Sequence, residues 1–487
     1  MVKNRRQHDH LPIEKDLPTY NVTDVYYTQP VNVVKNPDGT WANNSAGLLA
    51  AGLVDGGRNL ETRFGFNNIL RGVLNFFDKS LVITGSMSNK RELWKGNYSS
   101  LPFQVGYGPN DVRLVNSPGS ISAVNGTVVQ DIYDLFANYN KKIGEHSFGL
   151  TAGYNQEYYQ WDPTSASRNQ LISRDLPYIS LTVDNTSASI SQSGFGSSYY
   201  DYAIRSYFGR LNYSFKDRYI LDFIGRRDGS SRFPSNNRWA FTPGVSGAWV
   251  VNKENFWNGL NNAISNFKLR ASYAKQGNQS VSYYGYLQNL PIGTSGYLIG
   301  GNRLPVTAAP NLSVDPNNYT WESVTSNNFG TDIGLLKNHL NITFDYYIRK
   351  TTGMLGPAKV LPAVLGSNAP QQNAADMSTN GWELTVGYNN SFIIANKPFT
   401  YNLKAQLWDS KSKITKYDNP LGLFSASWRQ GQTVGEIWGL ESDGFFKDEE
   451  DIKSLDQSAI IPWGALEIMP GWPKYIDQDG DKNNTRS

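Results

Sequence analysis

Asp477, Asp479, Asp481 and Asn483 place oxygen donors at alternate positions in Asp477-Gln-Asp479-Gly-Asp481-Lys-Asn483. Hard oxygens at this spacing are what Ca²⁺ takes, about six to eight at a time. An EF-hand loop needs Gly at its sixth position, where this sequence has Lys482, and a Glu at its twelfth, which falls past Ser487. A solvated acidic turn accounts for the same residues, so Ca²⁺ is one reading of them and the turn the other. Nothing else in the sequence requires a cofactor. A second group is aromatic: Trp161, Tyr199, Tyr200, Tyr283, Tyr284 and Tyr286 stand in polar stretches. A flat apolar face beside a hydroxyl suits a sugar ring or a peptide side chain, and equally an ordinary loop or a membrane-interface girdle. His8-Asp-His10 has metal-binding spacing but sits in a polar terminus, where fraying is the ordinary state.

Catalytic groupings are missing. The chain has 0 Cys and 4 His, which removes thiol nucleophiles, disulfides and Cys-ligated metals and leaves little for a histidine site. There is no Gly-x-Ser-x-Gly elbow, His-Glu-x-x-His helix or P-loop. The 42 acidic residues could supply a glycosidase pair anywhere, but no pair is singled out. The expectation is a protein that is not an enzyme. A net charge of +3 gives no basic field for nucleic acid.

What must position these groups is a series of strands. In 205–215, Tyr207, Leu211, Tyr213 and Phe215 share one face, and Arg210, Asn212 and Ser214 take the other. Tyr219, Leu221 and Phe223 resume the apolar face after a polar turn. Trp239, Phe241, Val245 and Trp249 repeat it, then Phe267, Leu269, Ala271 and Tyr273 opposite Lys268 and Arg270. The same holds for Phe329, Ile333 and Leu335, for Leu340, Ile342, Phe344 and Tyr346, for Trp382 to Tyr388 and for Tyr401 to Leu407. Weaker alternation at 60–70, 79–90, 131–140 and 146–158 brings the total to about twelve strands.

The connections alternate in length. Short ones are predicted at Phe77–Lys79, Lys141–Glu145, Lys216-Asp217 and Lys337–His339, and long ones at 91–130, 159–204, 277–326, 351–379 and 409–432. That is the layout of an antiparallel transmembrane β-barrel. Trp239 and Trp249 are spaced about 33 Å along a strand, which a tilt of about 40° projects to roughly the 25 Å of the apolar band. Pro243 between them argues against a regular central strand. The rival is a soluble or surface β-rich carbohydrate-binding protein such as an adhesin, whose strands also alternate but run about five to six residues. No run approaches a membrane-spanning helix, and Met1 to Leu11 is followed by no apolar signal core. The chain is therefore expected either to stay in the cytoplasm or to lack its true start.

Several stretches resemble one family, the SusC-like TonB-linked outer-membrane transporters of the Bacteroidetes. They are Gly209-Arg-Leu-Asn-Tyr-Ser-Phe-Lys-Asp-Arg-Tyr219, then Arg226-Arg-Asp-Gly-Ser-Ser-Arg232-Phe233, Asn237-Arg-Trp239 and Pro243-Gly-Val-Ser246. Ile264 to Tyr273 with Gln276-Gly-Asn-Gln279, Trp321-Glu322, Asp345 to Thr352, and Gly431 to Gly435 with Trp438-Gly439 continue the series. Ala375 and Lys482 stand where the family usually has Gly. The resemblance implies an all-β wall that is part of a 22-stranded barrel, open in this chain. It implies residues 1–487 as one partial barrel with long extracellular loops, the signal peptide, plug and closing strands being absent. It further implies import of glycans, oligosaccharides or peptides across the cell outer membrane, a SusD-like lipoprotein over the mouth, outer-membrane lipid around the wall, and TonB acting through regions not present here.

Overall fold

The computed structural model describes residues 13–173, 175–183, 188–287, 292–307, 316–356, 372–417, 419, 428–437, 439, 441–454 and 468–476. The chain divides into two compact units. One holds residues up to 141, 148–211 and 226–232, and the other 142–147, 212–225 and 233 onward.

Thirteen strands lie on one hydrogen-bonded path whose order is the order of the chain. They are β1 (Ile13–Pro18), β2 (Arg58–Phe76), β3 (Leu81–Ser100), β4 (Ser120–Ile143), β5 (His146–Asn169), β6 (Tyr200–Phe215), β7 (Tyr219–Ser230), β8 (Trp239–Val250), β9 (Ile264–Asn278), β10 (Glu322–Leu335), β11 (Leu340–Gly356), β12 (Gln372–Ile394) and β13 (Lys397–Lys416). The short segment Ser189–Ser191 adds to β5 off this path. Among the described residues β1 and β13 do not pair with each other, so the sheet is not closed. No described helix is long and apolar enough to cross a membrane.

The connections fall into two sets at alternate strand ends. Five are tight turns through the left-handed region: Phe77, Asp78 and Lys79; Gly144; Lys216 and Asp217; Leu336, Lys337 and Asn338; Ala395 and Asn396. Consecutive left-handed residues match the twist of a two-stranded hairpin, at some backbone cost where the residue is not Gly. The sixth, between β8 and β9, carries two single helical turns, Val251–Lys253 and Asn255–Trp257. The opposite ends carry the longer links, the largest between β9 and β10. The predicted loop 91–130 is a correction: strand continues to Ser100 and resumes at Ser120, and 159–169, 200–204 and 409–416 are strand as well.

Register shows why the alternation is there. In the second unit Phe267, Ile333, Ile342, Val386 and Ala405 form one lateral row. One residue along lies a polar row, Lys268, Asp332, Thr343, Thr385 and Gln406. The first unit repeats this with Leu70, Met87 and Tyr133 against Arg63, Trp94 and Gly126. Because successive side chains point to opposite faces, the strand portions next to the tight turns present one apolar and one polar face.

Each unit also has a small core. In the first, the helix α1 (Ser45–Asp55) is capped by Asn44, whose side chain accepts from the Gly47 N–H at 2.9 Å. It buries Ala51 against Phe103 and Val105 of the hairpin 103–115, with Tyr20, Trp41 and Leu48 around them. The Tyr20 ring occupies the place a Cβ at Gly52 would need. In the second unit Phe233, Val281, Tyr319 and Trp321 pack together with Ala240, Tyr286 and Leu355.

Candidate functional site

The polar face of the first unit carries an aromatic cluster built by register. Arg63, Trp94 and Gly126 stand side by side on β2, β3 and β4. The Arg63 guanidinium lies 3.6 Å from the Trp94 ring centroid, and Trp94 Nε1 donates to Glu92 at 2.9 Å. A Cβ at Gly126 would run into the Trp161 ring, so only Gly there lets Trp161 of β5 lie against Trp94, at 5.0 Å between centroids and edge-on. Phe195, from the link between β5 and β6, closes the cluster against Trp94 at 5.4 Å and Trp161 at 6.0 Å. Tyr98 donates its O–H to Glu61 at 3.0 Å, and Arg63 pairs with the same carboxylate at 3.3 Å.

Next to it on β5 and β6, Tyr159 lies nearly parallel to Tyr200 and to Tyr202, at 5.8 and 5.3 Å. Glu157 accepts from Tyr202 O–H at 3.1 Å and from Gln130 Nε2 at 2.9 Å, and Arg232 sits 4.4 Å over the Tyr202 ring. Flat rings beside carboxylate, amide and guanidinium groups can hold the apolar faces and hydroxyls of a sugar, or the side chains and amides of a peptide.

The aromatic residues singled out from sequence fall in both units. Trp161 is 4% exposed, its ring spent on Trp94 and Phe195, and Tyr200 belongs to the stack on Tyr159. The Tyr199 N–H donates to the Gln192 carbonyl at 3.2 Å. Tyr283, Tyr284 and Tyr286 belong to the second unit. Tyr284 is left-handed and exposed, Tyr283 half-buried, and Tyr286 packs at 6.2 Å on Tyr319, which donates its O–H to the Ser282 carbonyl. Asp477, Asp479, Asp481 and Asn483 lie outside the described residues. Among the described residues no cluster of three His, Asp or Glu side chains could hold a metal. Sequence reading missed Arg63, Trp94, Tyr98, Tyr159, Phe195 and Tyr202. The signal for Trp94 was its place in alternation with Glu92 and Tyr98.

The polar face of the second unit holds a charged ladder. Arg270 pairs with Asp332 at 3.1 Å and with Asp345 at 2.8 Å, Lys268 reaches Asp332 at 3.9 Å, and Thr343 donates to Asp332 at 3.2 Å. The stretches that carry the family resemblance converge beyond it. Asn237 donates to the carbonyls of Pro316 and Asn317, Trp321 Nε1 to that of Arg238, and Glu322 accepts from Asn278 and from the Leu355 N–H. At the tight-turn end, buried Glu254 accepts from Tyr219 O–H at 2.6 Å, Trp249 Nε1 at 2.9 Å and Arg218 at 2.7 Å. Hydrogen bonds from Tyr219 and Trp249, with the Arg218 charge, hold its carboxyl below the usual carboxylate range.

The sequence model of the TonB dependent receptor-like β-barrel matches residues 10–439. The chain belongs to this family. Its barrels lie in the outer membrane, so the apolar face of the sheet is the one toward lipid. The chain is similar to TonB-dependent receptor P3 of Formosa agariphila, 29% identical over 362 residues that cover 71% of this chain and 34% of the relative. It is also similar to TonB-dependent receptor SusC of Bacteroides thetaiotaomicron, 29% identical over 303 residues, 60% of this chain and 28% of that one. The chain thus spans about a third of the length of the curated relatives it matches. Among solved structures the RagAB peptide transporter shares the fold, with TM-score 0.63 at 22% identity over 79% of this chain and 41% of that one.

Proposed function

We propose that this chain forms wall and outer loops of a SusC-type importer that takes up oligosaccharides or peptides, drawn through by TonB, with a SusD-like lipoprotein over the mouth. The observation that carries the reading is the two-faced sheet. Its apolar face matches a hydrocarbon band, while the opposite face carries the Tyr159–Tyr200–Tyr202 stack with Glu157, Gln130 and Arg232 beside it. Relatives bear the name of TonB-dependent receptors, SusC among them, and a structural neighbour is a peptide transporter. The wall does no bond-making chemistry; its side chains hold an oligomeric ligand by stacking and hydrogen bonds.

The test is uptake of labelled oligosaccharide and oligopeptide pools by cells carrying the full-length protein, with and without a protonophore. Energy-dependent entry of one pool, reduced by Tyr159→Ala and Tyr200→Ala, is the expected result and names the substrate class. Entry that persists without the proton gradient would overturn active import in favour of a passive pore.

A further inference from the structure

The lipid-facing side of β9 to β13 changes character along its length. From the tight turns outward its rows are mainly apolar, up to the row of Ala271, Phe329, Tyr346 and Trp382, which ends on β13 at Asp409. Tyr346 and Trp382 are the interfacial aromatics expected where hydrocarbon gives way to headgroups. Two residues further comes Lys411, level with Tyr273 and Asn380, and two further still the row Lys275, Thr325, Lys350, Ser378, Lys413.

Neighbouring strands lie about 4.8 Å apart. Lys275, Lys350 and Lys413 therefore follow one another at roughly 10 Å, with only the hydroxyl residues Thr325 and Ser378 between them. The row stands four residues beyond Tyr346 and Trp382, about 10 Å of depth on a strand tilted by ~40°. None of these four lysines has an ion-pair partner among the described residues, whereas Lys268 on the opposite face reaches Asp332 at 3.9 Å. Up to the lysine row, Asp409 is the one acid on this face among the described residues of the five strands. Four ammonium groups against one carboxylate is a cationic row continuous with the lipid-facing band, and long lysine stems lie along an apolar surface while their heads reach the headgroup layer.

We propose that Lys275, Lys350, Lys411 and Lys413 form a docking row for the phosphorylated headgroup of an outer-leaflet glycolipid. Charge complementarity selects phosphate over a zwitterionic headgroup, and continuity with the apolar band selects a lipid over a free anion. The acyl chains lie along Phe329, Tyr346 and Trp382 while the phosphates meet the lysines above.

The experiment uses the full-length protein extracted from outer membranes, titrated with micelles of neutral detergent doped with diphosphorylated lipid A, with dephosphorylated lipid A, or with inorganic phosphate in solution. Each basic residue at an anionic surface contributes about fivefold in affinity. The combined Lys275→Gln, Lys350→Gln and Lys413→Gln variant is expected to bind diphosphorylated lipid about a hundredfold more weakly. Lys404→Gln, on the opposite face of β13, is expected to bind as the parent does. Added salt weakens the parent's binding and leaves the triple variant's nearly unchanged. If the glutamine variant fails to fold, the Lys→Arg triple decides: it keeps the charge and must keep the affinity and its salt dependence. Equal binding of the dephosphorylated lipid, or undiminished binding by the glutamine variant, overturns the proposal. Inorganic phosphate binding as tightly as the lipid overturns it in favour of a free-anion site.

Discussion

Substituting Arg for Ile342 tests the face assignment on which the functional reading depends. Ile342 pairs with Val386, four residues from Trp382, and Val386 pairs with Ala405, four residues from Tyr401. Four residues of tilted strand correspond to about 10 Å of depth, so Ile342 stands midway between the two aromatic levels. A guanidinium there costs about 2–4 kcal/mol, falling to about 0–1 near the interface. Thr343, its chain neighbour, faces the other way and donates to Asp332 at 3.2 Å. An Arg at 343 meets that carboxylate and water, so Thr343→Arg is expected to cost less than about 1 kcal/mol. Tyr346→Arg, at the outer aromatic level, is expected near 1 kcal/mol. The assay is equilibrium urea unfolding of the full-length protein in lipid vesicles, read by tryptophan fluorescence. Equal costs at 342 and 343, or a larger cost at 343, would refute the orientation of the sheet.

Acid is expected to loosen the link between β8 and β9. Glu254 has a lowered pKa, so its contribution is fully present above the ordinary Glu value of about 4.3 and is lost as pH falls through the lower, folded value. Protection of the amides at 251–263, taken relative to their intrinsic exchange rates at each pH, should fall in that range in the parent and already be low, with no such step, in Glu254→Gln. Phe233→Ala empties the centre of the cluster with Tyr319 and Trp321, and should cost about 3–5 kcal/mol by chemical denaturation. Gly126→Leu should displace Trp161 from Trp94 and Phe195, seen as altered tryptophan emission, while leaving binding at the Tyr159 stack measurable. If Asp477, Asp479, Asp481 and Asn483 coordinate Ca²⁺, the ion should raise the melting temperature of full-length protein and Asp479→Ala should abolish the rise; no effect leaves the solvated turn.

Period-two alternation was readable only where lipid enforces it. On β3 the apolar set Leu81, Ile83 and Met87 was visible, but beyond Asn89 both faces carry polar groups and the strand ran on to Ser100 unannounced. The same loss of contrast hid the outer parts of β4 and β5, and with them Trp94 and Tyr159 as strand residues of the candidate site. The β12–β13 turn was missed because Phe392, Ile393 and Ile394 run apolar on both faces into Ala395, whereas the turns that were legible carry charged residues such as Asp78, Asp217 and Lys337. Asn44 before Ser-Ala-Gly-Leu-Leu-Ala-Ala was an available N-cap signal for α1, masked by the glycines that its packing on Tyr20 requires. The stretches of family resemblance, by contrast, were legible as motifs, and their convergence around Trp321 and Glu322 gives those residues a physical reason to occur together.

Strand order that follows chain order has a kinetic meaning. Each pairing along the path joins consecutive segments, so no hairpin waits for a distant partner, and loop-closure entropy is small for every pair made through a tight turn. The left-handed residues at Leu336, Lys337 and Asn338 suffice to set the register of β10 on β11 without any other strand. The sheet can therefore grow one hairpin at a time, each exposed edge serving as the template for the next. An error in one turn shifts the faces of its own hairpin and stalls growth there, while the strands already laid down keep their pairing. Deleting or duplicating a whole hairpin should be tolerated far better than inserting a single residue into a tight turn.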